Sequence, residues 1–457
     1  MPILIVVPYQ SSFQWSLALE VACNLRSNGE EVHILDIQIS NVRSAKSILR
    51  RLAGHQFLKA KVIEKLTDMG ISYSCYRKTS FFHWSPSIFG RDGRLNLADR
   101  FVRICAANVA DTLRTSKIDR GIKVRREFWR QILEAKKVEE ILKDFNKKDI
   151  RKYDSVYTVN GRYTRNRMVR EFYKDLGREV TIIEVGSGQS FTLWSNAQSM
   201  NELADKSLAM WNSCADPNKE RNSVTYMKGR LSLIGGDNAT FKQNMSYGSI
   251  PNLPKNKKIC TFYSTSQIEF LYLSDRIPSE DYQSQQEAVV DLLETLGPDW
   301  HVVVRRHPFG NGNKFGDDEG ELWMPLQVYE NISFIQPDER VDSYALAKKS
   351  NLAAHFGSSI GADLIFMNAT PVISMGPTEW EYAEIDTKVR NHSQLMRFLT
   401  SPLKTRDFKS ILPWAHFYKN RGVKFKYVVK DVNGDLSLRS ELPKSTHKEI
   451  INSRMPE

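Results

Sequence analysis

An α/β fold, two Rossmann-like domains facing a central cleft, is predicted by three features of this sequence. Apolar runs too short for helices alternate with helical stretches; several of these runs end in small, polar or cationic residues; and 457 residues exceed the usual size of a single core. The alternation is that of parallel strands joined by crossover helices. The polar run-ends are where such strands deliver side chains to the carboxyl edge of a sheet.

The opening reads strand, loop, helix, strand. Residues 3–7 are an apolar run, apolar spacing at helical period continues through Leu25, Gly29 supplies a left-handed cap, and residues 31–37 form the next strand. The intervening loop carries Tyr9, Gln10, Ser11, Ser12 and Gln14 and no glycine fingerprint, so no dinucleotide cofactor is expected. Gln10 is instead a candidate acceptor contact. Residues 114–152 predict a long basic helix with fourteen Lys or Arg against seven Asp or Glu. Its apolar residues, Ile122, Phe128, Ile132, Val138, Ile141 and Leu142, recur near helical spacing. The charge run reads as a solvated face, with an anionic membrane surface as the second reading.

A second α/β unit follows, with a strand at 153–159, a tight loop at Asn160, Gly161 and Arg162, and a helix at 165–176 closed by Gly177. A strand at 180–185 then ends in Glu184, Val185, Gly186, Ser187 and Gly188. Residues 232–258 are rich in Gly, Asn, Pro and Ser and place a boundary near 250. The expected division is an acceptor domain at 1–250, a nucleotide-donor domain at 251–400, and a segment at 401–457 that packs back on the first domain. That segment contains a hairpin signal at Asn433-Gly434. Within the donor domain, strands are expected at 258–263, 300–304 and 352–356, a helix at 285–296, and a mobile loop at 308–321 with four glycines.

The formal charge of +12 favours an anionic partner. The pattern holds no nucleic-acid recognition module, so nucleic acid is not the expected one. Cysteines at 23, 75, 105, 214 and 260 are odd in number and lack a C-x-x-C pair, which argues against a zinc site or disulfide framework and for a reducing compartment. The first ten residues read as a strand, not a secretory leader, and no window approaches the roughly 20 apolar residues of a membrane span. A cytoplasmic protein, peripheral on the inner face of the membrane, is the expectation.

Two stretches carry the chemistry. WHVVVRRHP ends in Arg305, Arg306, His307 and Pro308; LAAHFGSSIGAD passes through Gly357, Ser358 and Ser359 into a helix containing Asp363. Backbone N–H groups, hydroxyls and cations at strand ends are the groups that hold a phosphate and stabilise it as it leaves. The consecutive Asp317, Asp318 and Glu319 lie in the glycine-rich loop and read as a solvated acidic loop, so no metal or other cofactor is expected.

In these residues the chain resembles the bacterial capsule-polysaccharide-type glycosyltransferases of GT-B fold, including enzymes that use CMP-activated Kdo or sialic acid. The resembling stretches are RRHP at 305–308, VDSYALAKKSNLAAHFGSSIGADLIFMNATPVI at 341–373, NGR at 160–162, EVGSG at 184–188 and ILPWAHFYKNRGVKFKY at 411–427. The resemblance implies transfer of a sugar, Kdo or another ulosonic acid, from a CMP-activated donor to a surface-polysaccharide or lipid-linked glycan. It also implies donor binding by His307, Pro308, Ser358 and Ser359, with Glu184 the base; Arg305, Arg306, Gly357 and Asp363 are further candidates for the donor site, and His307 a second catalytic candidate. Gln10, Asn160, Gly161 and Arg162 would meet the acceptor. Asp363 stands where related enzymes often carry Glu, and the carboxylate signature is only loosely matched at Glu184. A CDP-glycerol-type polyol-phosphate transferase, a nucleotide-sugar epimerase of the same fold and a non-catalytic glycan-pathway binding protein are the competing readings.

Overall fold

The structure, a computed structural model, describes residues 2–9, 11–39, 66, 68–78, 87–90, 94–113, 120–149, 153–186, 189–195, 200–232, 248–266, 281–307, 320–384, 387–430 and 436–438. Two compact units divide the chain. Unit 1 takes Met1–Leu113, Ile118–Ala197 and the chain from Arg421; unit 2 takes Gln198–Asn420. Both are Rossmann-like.

Unit 1 is built from β1 (Ile3–Val7), α1 (Ser12–Ser27), β2 (Val32–Ile39), β3 (Ser72–Lys78), α2 (Arg100–Leu113), α3 (Ile122–Asp149), β4 (Ser155–Val159), α4 (Thr164–Asp175), β5 (Glu179–Val185) and β6 (Ser190–Ser195). Strands β3, β2, β1, β4 and β5 lie side by side in that order and are parallel. β6 adds antiparallel to β5. The sequence ILIVV of β1 is buried at every residue, as a central parallel strand covered on both faces must be. The order reverses between β1 and β4, and the crevice outside their carboxyl ends is where such sheets take ligands.

The predicted basic helix is α3, which buries Phe128, Ile132, Val138, Ile141 and Leu142. Ile122, expected on the same stripe, is 86% exposed because it sits in the first turn, ahead of the packed length.

Unit 2 contains α5 (Met200–Ser213), α6 (Lys219–Leu231), β7 (Lys258–Tyr263), α7 (Gln285–Leu296), β8 (Trp300–Arg305), β9 (Ile332–Ile335), α8 (Ser343–Lys349), β10 (Leu352–His355), α9 (Ile360–Met367), β11 (Val372–Ser374), α10 (His392–Leu399) and α11 (Leu412–Asn420). Its five strands run in the order β11, β10, β7, β8, β9, all parallel, with the reversal between β7 and β10. The units divide after Ala197, upstream of the expected 250, because α5 and α6 belong with the second core: Met227 of α6 is buried in one cluster with Trp380 and Trp414. For the same reason α11 stays in unit 2, and the chain rejoins unit 1 from Arg421, not from 401.

The returning segment supplies β12 (Val423–Lys424), antiparallel to β6, and β13 (Val428–Lys430), paired with β14 (Leu436–Leu438). The turn expected at Asn433-Gly434 between these last two lies outside the described residues. Buried Glu20 of α1 fastens the segment, accepting the N–H of Lys426 at 2.7 Å and of Tyr427 at 2.8 Å.

Candidate functional site

In unit 1 the chain leaves β4 through Asn160, whose φ of 55° is left-handed, a conformation that asparagine tolerates better than most residues. Its N–H donates to the Ile183 carbonyl on β5 at 2.9 Å, and its Oδ1 accepts from the Arg162 N–H at 3.3 Å. Gly161 is wedged against β5, since a Cβ there would stand 2.7 Å from Ile182 Cδ1. The turn sets Asn160 and Arg162 beside Glu184 near the end of β5. Burial pushes the Glu184 carboxyl up to about 7, against the opposing pull of the Arg162 guanidinium, a hydrogen bond with Asn160 and the Arg421 guanidinium. Asn160, Arg162 and Glu184 thus form one cluster; Gln10 lies outside the described residues, as do Ser187 and Gly188.

Sequence reasoning missed the cluster under the β1–β4 reversal. Buried Arg165, in the first turn of α4, donates from Nη1 to the Pro8 carbonyl at 3.1 Å and from Nε to Glu134 at 2.9 Å. It also lies 4.7 Å over the Tyr9 ring. The arginine therefore ties the loop after β1 to α3 and α4. The charged stretch of α3 hid Glu134 among solvated neighbours, and nothing local marks it as the one turned inward.

In unit 2, the ends of β7, β8 and β10 converge. Ser264 follows β7; its N–H donates to the Arg305 carbonyl at 3.1 Å, and its Oγ accepts from the backbone N–H of His307 at 2.7 Å. Burial pushes the half-buried His307 imidazole down to about 4, with the Arg305 charge adding to the effect, so the ring is neutral at pH 7. A neutral imidazole can donate and accept hydrogen bonds but brings no positive charge. Beyond β10, Gly357 takes a φ of 70°, which bends the chain into Ser358 and Ser359 ahead of α9. Ser359 stands at the N-cap position without capping through its side chain, and the Gly361 N–H, in the first turn of α9, donates to the Ser358 carbonyl at 2.9 Å.

Beneath this loop lies His355, fully buried, with Nε2 3.4 Å from Glu384 Oε1. Glu384 is held by the indole of Trp380 and the hydroxyl of Thr378, both at 2.7 Å. A Cβ on Gly361 would stand 2.3 Å from His355 Nε2. The glycine lets α9 begin directly against the imidazole.

Three of the expected donor contacts are committed to the chain itself. Arg305 donates to the carbonyls of Gln336 at 2.6 Å and Glu339 at 3.1 Å, and Arg306 to Gln336 Oε1 at 2.6 Å, which fixes the loop after β9. Asp363 is 2% exposed, with its oxygens taken by Arg230 at 2.8 and 3.1 Å and by the Tyr344 hydroxyl at 3.0 Å. Its short arm points into the unit, where the Arg230 charge neutralises it and the Tyr344 hydroxyl donates to it. Pro308, and Asp317 to Glu319, lie outside the described residues. Among the described residues no helix is long and apolar enough to cross a membrane.

No protein-family model matches the chain, and no curated protein matches it either. Solved structures similar to it include the Methanocaldococcus jannaschii UDP-GlcNAc 2-epimerase in complex with UDP-GlcNAc and UDP. It is 12% identical, over 92% of this chain and 99% of that one, with a TM-score of 0.29. The Neisseria meningitidis UDP-GlcNAc 2-epimerase is 12% identical over 91% and 97%, with a TM-score of 0.27. A glycosyltransferase from Rickettsia africae is 14% identical over 91% and 92%, with a TM-score of 0.25.

Proposed function

We propose that the protein is a nucleotide-sugar-dependent glycosyltransferase, with the donor held by unit 2 and an acceptor hydroxyl deprotonated by Glu184 of unit 1. The observation that carries this reading is the convergence of Ser264, neutral His307 and the open Gly357-Ser358-Ser359 turn at the β7–β10 reversal of an all-parallel sheet. The Ser358 and Ser359 hydroxyls and the positive end of α9 there suit the diphosphate or phosphate of an activated sugar and the charge that grows on it as the glycosidic bond breaks.

Glu184 supplies the second half. A carboxyl near 7 is matched to taking a proton at neutral pH. As the acceptor oxygen bonds to the anomeric carbon, its proton passes to Glu184, and the nucleotide leaves with the electron pair of the broken bond, giving inversion. Arg162 and Asn160 stabilise the carboxylate and would meet an acceptor. From the resemblance of RRHP and FGSSIGAD, the donor is a CMP-activated ulosonic acid such as Kdo and the acceptor a surface-polysaccharide or lipid-linked glycan. A CDP-polyol is the alternative donor, since the same serine-rich turn would suit it.

Titration of the full chain with CMP, CDP, UDP, GDP and ADP, with and without magnesium, tests the donor half. Tightest binding is expected for a cytidine nucleotide, weakened about tenfold or more in a folded His307→Ala variant. Binding to none of the five would sink the proposal, and unchanged affinity in the variant would remove His307 from the site.

A further inference from the structure

Unit 2 carries a pocket of about 780 Å³ that shares no lining residue with the turn at the β7–β10 reversal. It lies at the β11 edge of the sheet, where the chain at 387–389 runs beside Ser374: the Ser374 N–H donates to the Thr387 carbonyl at 3.0 Å, and the Val389 N–H to the Ser374 carbonyl at 2.8 Å. Its other wall is the end of α10 and the loop that follows.

Four cations line the pocket, Lys388, Arg397, Lys404 and Arg406, against one carboxylate, Asp407. That carboxylate already accepts the Lys409 N–H at 3.0 Å and caps the turn after it. Two of the cations are fixed from behind: Lys388 is held by Glu381 at 2.9 Å, and Arg406 Nε donates to the Ala383 carbonyl at 2.9 Å. Arg397 and Lys404 are exposed and meet no carboxylate among the described residues. Phe398, half-buried against the core, contributes an aromatic wall, and Thr405 a hydroxyl.

Lys388 is offset by Glu381, whereas Arg397 and Lys404 raise the local positive potential and draw anions, and guanidinium forks match carboxylate and phosphate groups. The size falls within the usual range for small-molecule and cofactor sites, and the mixture of ring, hydroxyl and charge is one that fixes a ligand's orientation. A concave pocket with one half-buried ring lacks the exposed apolar face that inserts into a bilayer. It also lacks the row of stacking aromatics that tracks a nucleic-acid strand.

We propose that this pocket binds an oligosaccharide bearing carboxylate or phosphate groups, a glycan site apart from the donor edge. The choice of a glycan over another small anion rests on the glycosyl-transfer reading.

The test is fluorescence polarisation of the full chain with a fluorescein-labelled oligogalacturonate. A malto-oligosaccharide, a single-stranded oligonucleotide and phosphatidylglycerol vesicles serve as comparisons. Saturable binding of the uronate oligomer is expected, tenfold or more weaker in the double variant Arg397→Glu/Lys404→Glu. It should stay within twofold of the parent in Lys348→Glu/Lys349→Glu, which makes the same charge change at the exposed end of α8. Equal loss in both variants, binding of the neutral glycan, the oligonucleotide or the vesicles as tight as that of the uronate, or no uronate binding overturns the proposal. Nucleotide titration of the same samples reads the donor assignment separately, and both double variants should retain it.

Discussion

Glu184 shows how one environment serves two ends. Burial holds its proton to about pH 7, so kcat/KM is expected to climb about tenfold per pH unit below 7 and to level off above it. Glu184→Gln should flatten that profile and lower turnover by on the order of 10²–10³ while nucleotide affinity is kept. The same shift bears on stability. A carboxyl raised from its ordinary 4.5 favours the folded state fully below that value, and the benefit is lost as pH rises through about 7. Thermal melts should therefore find Glu184→Gln more stable than the parent at pH 8, with the gap closing by pH 4. Gly361 makes a steric statement of the same kind. Gly361→Ala would drive a methyl into His355, at a cost of about 1–3 kcal/mol, and would shift the Ser358-Ser359 turn. Adding His355→Ala should recover part of the loss in urea unfolding; a double variant no better than the single would mean that the collision is not what sets the turn.

Among the elements, those legible in the sequence are the ones whose burial is two-sided. The runs at 258–263, 300–305 and 352–355 are apolar almost throughout because both faces of their strands are covered. β3, SYSCYRK, pairs among the described residues only with β2, at the sheet margin, and shows no apolar run to find. α5 and α6 sit in a stretch mixing polar and apolar residues; both belong to the second unit, and α6 enters its core through Met227. Asp363 was misread for a related reason: its partner Arg230 lies 133 positions upstream on α6, a distance no local pattern spans. That pair joins α6 to α9 and is nearly fully buried. Arg230→Met leaves an unpaired carboxylate inside and should cost about 3–5 kcal/mol in urea unfolding. Arg230→Met with Asp363→Leu should recover most of it. A loss below about 1 kcal/mol for the single variant would mean that the bridge does not hold the helices.

The whole molecule is threaded discontinuously, because unit 1 is interrupted by Gln198–Asn420 and resumes from Arg421. Glu20 is the fastener of the returning segment, and Glu20→Ala strips the acceptors from the Lys426 and Tyr427 amides, at about 1–3 kcal/mol for each buried donor stranded. Limited proteolysis should then cut the variant between 421 and 430 well before the parent; equal rates would assign the segment's hold to its apolar contacts alone. The same threading sets a timetable during synthesis. At about 5–20 residues per second, the ribosome spends on the order of 10–40 s on the inserted unit after β6 has emerged. Throughout that interval the outer edge of β6 waits without β12, and the carboxylate of Glu20 waits without its amides. The second unit can fold while the first is still unfinished, and the nascent chain carries an open strand edge, the kind of surface on which neighbouring chains pair, until its last stretch is made.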